Sequence, residues 1–248
     1  MRGNNATYLS IATSTGVPLT DADYWQLVVQ DGTSSSSGSG DVPEPVYLAK
    51  YVLNGTPSAE APTTLEDISE NGNTMTVNGI ATYGENGYLP IVGDNASLYI
   101  PAINLSGHTD YTIHIKQAHG EMNGQHRLFQ LPANDLHAML TSASESTSLK
   151  LESANESPGF TSPISSASFS PGISRTSIRD LTMDMHVSGD LVTFSMMAEV
   201  ASGTVATLRS THTLVGFTSY LAQGIYLGNR TDGTRPLGVA LTEFWIQV

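Results

Sequence analysis

The chain has 248 residues, of which 13% are charged, and 23 acidic against 10 basic side chains give a formal net charge of −13. One basic and five acidic residues fall in 1–46, and nine against eighteen in the remainder; with one sign throughout and no Lys/Arg cluster to displace counterions, nucleic acid and anionic membrane are excluded as partners. Cysteine is absent and no run approaches the ~18 apolar residues of a membrane span, which removes disulfides, thiolate metal sites and a helical anchor. The length allows one large domain with a small appendage. A composition poor in charge and rich in Ser, Thr, Asn and Gly suits β-structure better than helices. Met1 is followed by polar residues without the apolar core of an export signal, so synthesis in a cytoplasm is expected.

Residues 1–32 read as a compact N-terminal module. Its text, NNATYLSIATSTGVPLTDADYWQLVVQDG over 4–32, holds a strand around Tyr8 and Ser10, a turn at Thr15-Gly16-Val17-Pro18, and the run Tyr24-Trp25-Gln26-Leu27 before Asp31-Gly32. These elements, in this order and spacing, resemble a small module that recurs in bacteriophage tail and fibre proteins, from which Val28-Val29-Gln30 departs. The resemblance implies an attachment role, with Tyr8, Tyr24, Trp25 and Leu27 as its packed residues. A module this small has little core and needs its only Trp inside, so packing is the expected role of Trp25, ahead of sugar stacking.

Residues 33–46 are expected to be a linker. Thr33–Gly40 lacks apolar side chains and behaves as flexible coil, and Asp41-Val42-Pro43-Glu44-Pro45 stiffens the exit.

Residues 47–248 read as strands of period two. Val46, Leu48, Lys50 and Val52 share one parity of a first strand, and Leu98 and Ile100 end another at Pro101. Tyr111, Ile113 and Ile115 alternate with Asp110, Thr112, His114 and Lys116. Leu128–Leu131 is short, and 133–140 fits either one helical turn or a strand and loop. Residues 141–177 hold 17 Ser or Thr in 37 positions, yet Leu149, Leu151, Phe160, Ile164 and Phe169 are spaced as anchors, so short strands are expected over disorder. Leu181, Met183, Met185 and Val187 face one way, with Thr182, Asp184 and His186 opposite. Ser188-Gly189-Asp190 then turns the chain into Leu191–Val200. Ile225–Leu227 and Val239–Val248 close the domain. The methionines at 183, 185, 196 and 197 are expected in the core.

Many short strands separated by turns imply an all-β sandwich or barrel. Three stretches resemble the concanavalin A-like, laminin-G-like jelly roll: Leu65–Gly72, His108–Ile115, and Tyr226–Asn229 with Gly238–Ile246. The resemblance implies a jelly-roll β-sandwich with a lectin-like face. In such a closing strand Phe244, Ile246 and Val248 fit the core, which leaves Trp245 sharing a face with Glu243 and Gln247. That face, with His114 and Lys116 on the polar side of their strand, is the candidate glycan or partner contact.

No catalytic, cofactor or metal residues are assigned. Glucan-cutting relatives of the fold place acids as Glu-x-Asp-x-x-Glu on one strand, and this chain has no such motif; Glu66, Asp67 and Glu70 lie in a turn. His108, His114 and His119 lack a regular strand spacing. Calcium, which laminin-G-like domains often hold, would use Asp94 and Asn95, or Asp232, but no Asp-x-Asp-x-Asp loop supports it. The resulting expectation is a non-enzymatic bacteriophage virion surface protein, a capsid decoration, head fibre or tail receptor-binding part. Its partners would be other virion proteins and host-surface glycan. Phage appendages of this kind imply a homo-oligomer, a trimer, and without a coiled-coil heptad it would form through sheet faces or N-terminal strands. A glycan-active enzyme of the same fold, hydrolase or lyase, and a bacterial lectin or adhesin are the alternative readings.

Overall fold

The computed structural model describes residues 2–3, 6–10, 25–30, 44–53, 62–69, 71–80, 89–91, 96–119, 126–133, 135–143, 146–153, 165–229 and 239–248. The chain divides into two compact units, Met1–Glu44 and Pro45–Val248. In the first, β1 (Arg2–Gly3), β2 (Ala6–Ser10) and β3 (Trp25–Gln30) form a three-stranded antiparallel sheet. Tyr8 lies opposite Leu27, and Ser10 opposite Trp25. Tyr24 and residues 33–43 of the expected linker lie outside the described residues.

The second unit opens with β4 (Tyr47–Tyr51), β5 (Thr64–Leu65), β6 (Met75–Asn78), β7 (Leu89–Ile91) and β8 (Ser97–Ile100). Next come β9 (Asp110–His119), β10 (His126–Leu131), β11 (Leu136–Ala143), β12 (Ser146–Glu152) and β13 (Ser165–Ser168). The chain ends through β14 (Ile178–Ser188), β15 (Leu191–Val200), β16 (Val205–Thr213), the short helix α1 (Phe217–Leu221), β17 (Ile225–Leu227) and β18 (Val239–Gln247). Two antiparallel sheets result. One has eight strands in the order β13-β12-β11-β10-β17-β8-β6-β5; the other has seven, β16-β15-β14-β9-β18-β4 with β7 also on β18. This is the jelly-roll β-sandwich implied by the sequence.

One apolar core lies between the sheets. Phe129, Ile225 and Leu98 come from the eight-stranded side, and Ile113, Met185, Phe194 and Phe244 from the seven-stranded side, all at 1% exposure or less. Period-two alternation builds it: β14 and β15 bury every second residue along most of their length. The two-residue turn Gly189-Asp190, with Gly189 at φ +60°, joins them with Ser188 opposite Leu191. Residues 136–143 are strand, and 146–152 and 165–168 within the Ser/Thr-rich stretch are strands too.

Two expectations need correction. In and just after β4 the buried residues are Leu48, Ala49, Tyr51 and Leu53, so of the expected parity Leu48 is inside while Val46 and Val52 are more than half exposed. The backbone shifts register between Ile246 and Gln247 opposite this strand, so parity read from Val46 and Val52 does not carry into the sheet. Met197, unlike Met183, Met185 and Met196, is half exposed because it alternates outward between Met196 and Ala198.

Candidate functional site

The expected contact face is set by the ladder between β9 and β18. His114 stands opposite Trp245, Lys116 opposite Glu243, and Thr112 opposite Gln247. Opposed residues of an antiparallel pair share a face. Their sequence neighbours Ile113, Ile115, Phe244 and Ile246 are in the core, so this set is on the outside of the seven-stranded sheet. Earlier in β18 it is Leu241 that is buried, an odd position where Phe244 and Ile246 are even. A β-bulge reconciles the two: Leu241 opposes Gln117 and Glu243 opposes Lys116, which leaves Thr242 as the extra residue. The Thr242 hydroxyl donates to the Lys116 carbonyl at 3.1 Å and closes the bulge.

The side chains form a connected line across four strands. The Asp184 carboxylate on β14 lies 2.6 Å from His114 Nδ1, and Glu243 Oε2 lies 3.6 Å from His114 Nε2. Lys116 Nζ donates to Glu243 Oε1 at 2.9 Å. The His114 ring stacks on the Trp245 indole, with centroids 4.5 Å apart and planes 5° from parallel. Tyr47 meets Trp245 edge-on at 5.9 Å, and Lys50 Nζ sits 4.0 Å over the Tyr47 ring. Gln247 joins the face through its position opposite Tyr47 and Thr112.

Beside this line is a groove of about 780 Å³. Trp245, Tyr47, Lys50, Lys116 and Glu243 line it together with Asp180, Glu199 and three exposed apolar side chains, Val52, Ile68 and Met197. Flat aromatic surface, apolar patches and charges of both signs in one concavity suit a ligand with apolar faces and a hydroxylated edge.

Asp67 anchors one wall. Its carboxylate accepts from the backbone N–H of Lys50 and of Ser69, both at 2.9 Å, and from the Asn73 side-chain amide at 2.7 Å. Ile68 N–H donates to the Lys50 carbonyl at 2.8 Å. The turn that presents Ile68 is thereby fixed to the strand that presents Tyr47 and Lys50. Burial alone would raise the Asp67 pKa, but the hydrogen bonds from Ser69, Lys50 and Asn73 outweigh it and hold the carboxyl below its ordinary range. The Tyr51 hydroxyl, pushed up by burial and then by the Asp67 charge, donates to the Asn73 carbonyl.

The structure thus brings Trp245, Glu243, His114 and Lys116 into one cluster and sets Gln247 next to it. Sequence reading missed Tyr47, Lys50 and Met197 as groove residues, and Asp184 as the His114 partner. Alternation had put Asp184 on the polar side of its strand, but the register that brings it to His114 is a long-range property. No group of three or more His, Cys, Asp or Glu that could hold a metal ion occurs among the described residues. Asp94, Asn95 and Asp232 lie outside them, and the side chains of Tyr8, Trp25 and Leu27 are likewise not described.

No family model and no curated protein matches this chain. Solved structures do. One is the binding domain of botulinum neurotoxin DC in complex with SialylT, at 9% identity over 82% of this chain and 48% of that one, with a TM-score of 0.50. Another is domain 4 of AbnA, a GH43 extracellular arabinanase from Geobacillus stearothermophilus, in complex with arabinotriose, at 14% identity over 83% and 93%, with a TM-score of 0.45. The chain spans about half the length of the toxin domain it matches. At these identities the likeness is one of fold.

Proposed function

We propose that this protein is a non-enzymatic glycan-binding component of a bacteriophage virion surface, either a capsid decoration or head fibre, or a receptor-binding part of the tail. The groove on the seven-stranded sheet carries the binding half of this reading. Trp245 and Tyr47 supply aromatic surface, and Lys50, Lys116 and Glu243 supply hydrogen-bonding groups at its edge. Glu243 is oriented by Lys116, and its carboxyl oxygens serve as acceptors for hydroxyls. The virion half rests on the N-terminal run ending in Tyr24-Trp25-Gln26-Leu27 and its resemblance to a phage tail and fibre module. Repetition of a weak site in a trimer would raise avidity by ~10²–10⁴.

An array of bacterial surface polysaccharides tests the first half. Binding should be present and should fall about tenfold or more in Trp245→Ala and Tyr47→Ala. Turnover of a glycan that disappears in Glu243→Gln would replace binding by catalysis. Immunogold labelling of particles from cells producing the full chain or a deletion of residues 1–32 tests the second half. Full occupancy by the deleted form would remove the attachment role.

A further inference from the structure

The Trp245 indole is held by a chain of contacts that starts outside the groove. His114 is on β9, which is paired on both of its sides, with β14 and with β18. Its side chain is 12% exposed. At one edge of the imidazole, Nδ1 shares a 2.6 Å hydrogen bond with Asp184 Oδ1 from β14. At the other edge, Nε2 lies 3.6 Å from Glu243 Oε2, and Lys116 holds that carboxyl by its second oxygen at 2.9 Å. A flat ring tied at two opposite edges has its plane fixed while its faces stay free to stack.

One of those faces takes Trp245. The two planes are 5° from parallel with centroids 4.5 Å apart. Tyr47 meets the same indole at 73°, so two rings nearly at right angles to each other hold it. Trp245, Tyr47, Lys116 and Glu243 line the groove; His114 and Asp184 do not. The residues that set the plane of the indole are therefore behind it, out of reach of a ligand in the groove.

An indole without such a hold samples several combinations of χ1 and χ2. A ligand that stacks on one of them must then bear the entropy of ordering the ring, whereas a ring ordered beforehand leaves that cost out of the binding step.

We propose that His114 is a positioning residue of the groove: Asp184 orients His114, and His114 sets the Trp245 indole in its binding orientation before any ligand arrives. The proposal rests on the groove being the glycan site, and adds that two residues which a glycan does not touch govern its affinity.

Near-UV circular dichroism of the full chain carrying Trp25→Phe reads the order of Trp245 without a ligand. Its indole band should weaken in His114→Ala and persist in His114→Phe, which keeps a flat ring against the indole. Affinity electrophoresis of the full chain in gels containing dextran, laminarin or arabinan reads binding. At least one gel should retard the wild type. His114→Ala should weaken that binding about fivefold, and His114→Phe should return it to within about twofold. Asp184→Ala should weaken binding about threefold alone and add nothing in the His114→Ala background, because Asp184 acts through His114. An unchanged indole band or undiminished binding in His114→Ala, no rescue by His114→Phe, or an Asp184→Ala effect that persists without His114 would each overturn the proposal, as would retardation in none of the gels. Trp245→Ala, run alongside, separates this from the reading beneath it. If it binds as the wild type does, the groove is not the site and both fail; if it loses binding while His114→Ala does not, the positioning role alone fails.

Discussion

The two outer faces of the sandwich place a histidine in opposite circumstances. On the seven-stranded sheet His114 lies between two carboxylates, Asp184 and Glu243, that are 42% and 48% exposed. On the eight-stranded sheet His137 lies between a backbone carbonyl and Glu152, with Arg127 close by at 5% side-chain exposure. Solvent screens the charges of the two carboxylates in the first set, although the His114 side chain between them is only 12% exposed. The second set depends on fixed partners, so each of its members carries more weight. Distance alone would rank the two histidines the other way, since His114 makes the shorter contact, 2.6 Å, on the exposed side.

Both faces rest on one core, and the largest expected effect tests whether it unfolds as a unit. Phe129→Ala, beneath the eight-stranded sheet, should cost about 3–5 kcal/mol. The urea midpoint should shift equally by circular dichroism and by Trp245 fluorescence in a Trp25→Phe background. An unmoved fluorescence midpoint would mean that the sheets unfold separately and the comparison fails. Next is the matched pair of acid deletions. Asp135→Ala removes the carboxylate beside Arg127 and should cost about 2 kcal/mol or more. Asp184→Ala should stay within about 1 kcal/mol. Equal losses in denaturant titrations would remove the distinction.

Acid titration gives a smaller effect. His137, Asp67 and Glu152 all have lowered folded-state values, so each contributes stability that is complete above its unfolded pKa and lost as pH falls through the folded one. The His137 share should begin to disappear below about pH 6.5, and that of the carboxylates below about pH 4. Melting temperature against pH should show a smaller upper step in His137→Asn, the remainder belonging to His212, whose pKa burial also lowers. The smallest effect concerns Lys116 and Glu243, whose coupling in a double-mutant cycle should be below about 1 kcal/mol and should fade in high salt.

Strict alternation made β9, β14 and β15 legible in the sequence, because each writes apolar and polar residues in turn along nearly its whole length. The same signal put Trp245 on one face with Glu243. It failed for β16, where Ala206 and Leu208 are the buried residues and Ser210 and His212 follow in the same parity. It failed in β4 because the parity of Val46 and Val52 does not survive the irregular pairing with β18. Of the candidate site, the face could be read and the company could not. Asp184 is 70 residues from His114, and Tyr47 and Trp245 come from the first and last strands of their unit. Only sheet order and register bring them together. Tyr99, Tyr226, Gln130, His137 and Glu152, set successively opposite one another across the eight-stranded sheet, were hidden for the same reason: each comes from a different strand and alone is an ordinary polar or aromatic residue.

The bulge at Thr242 bears on how this chain can change length. On either side of it the ladder is regular, so Thr242 is the one residue in the middle of β18 that the pairing does not count. A gene that lost its codon would keep Leu241 and Phe244 inward and Glu243 and Trp245 outward, since the shortened strand is a plain alternation. Loss of Phe244 instead would bring Trp245 to the place of a core residue and turn Ile246 toward the groove. Descendants of this sequence therefore have one inexpensive deletion next to the aromatic face, and its neighbours in the strand are frozen in number even where they are free in kind.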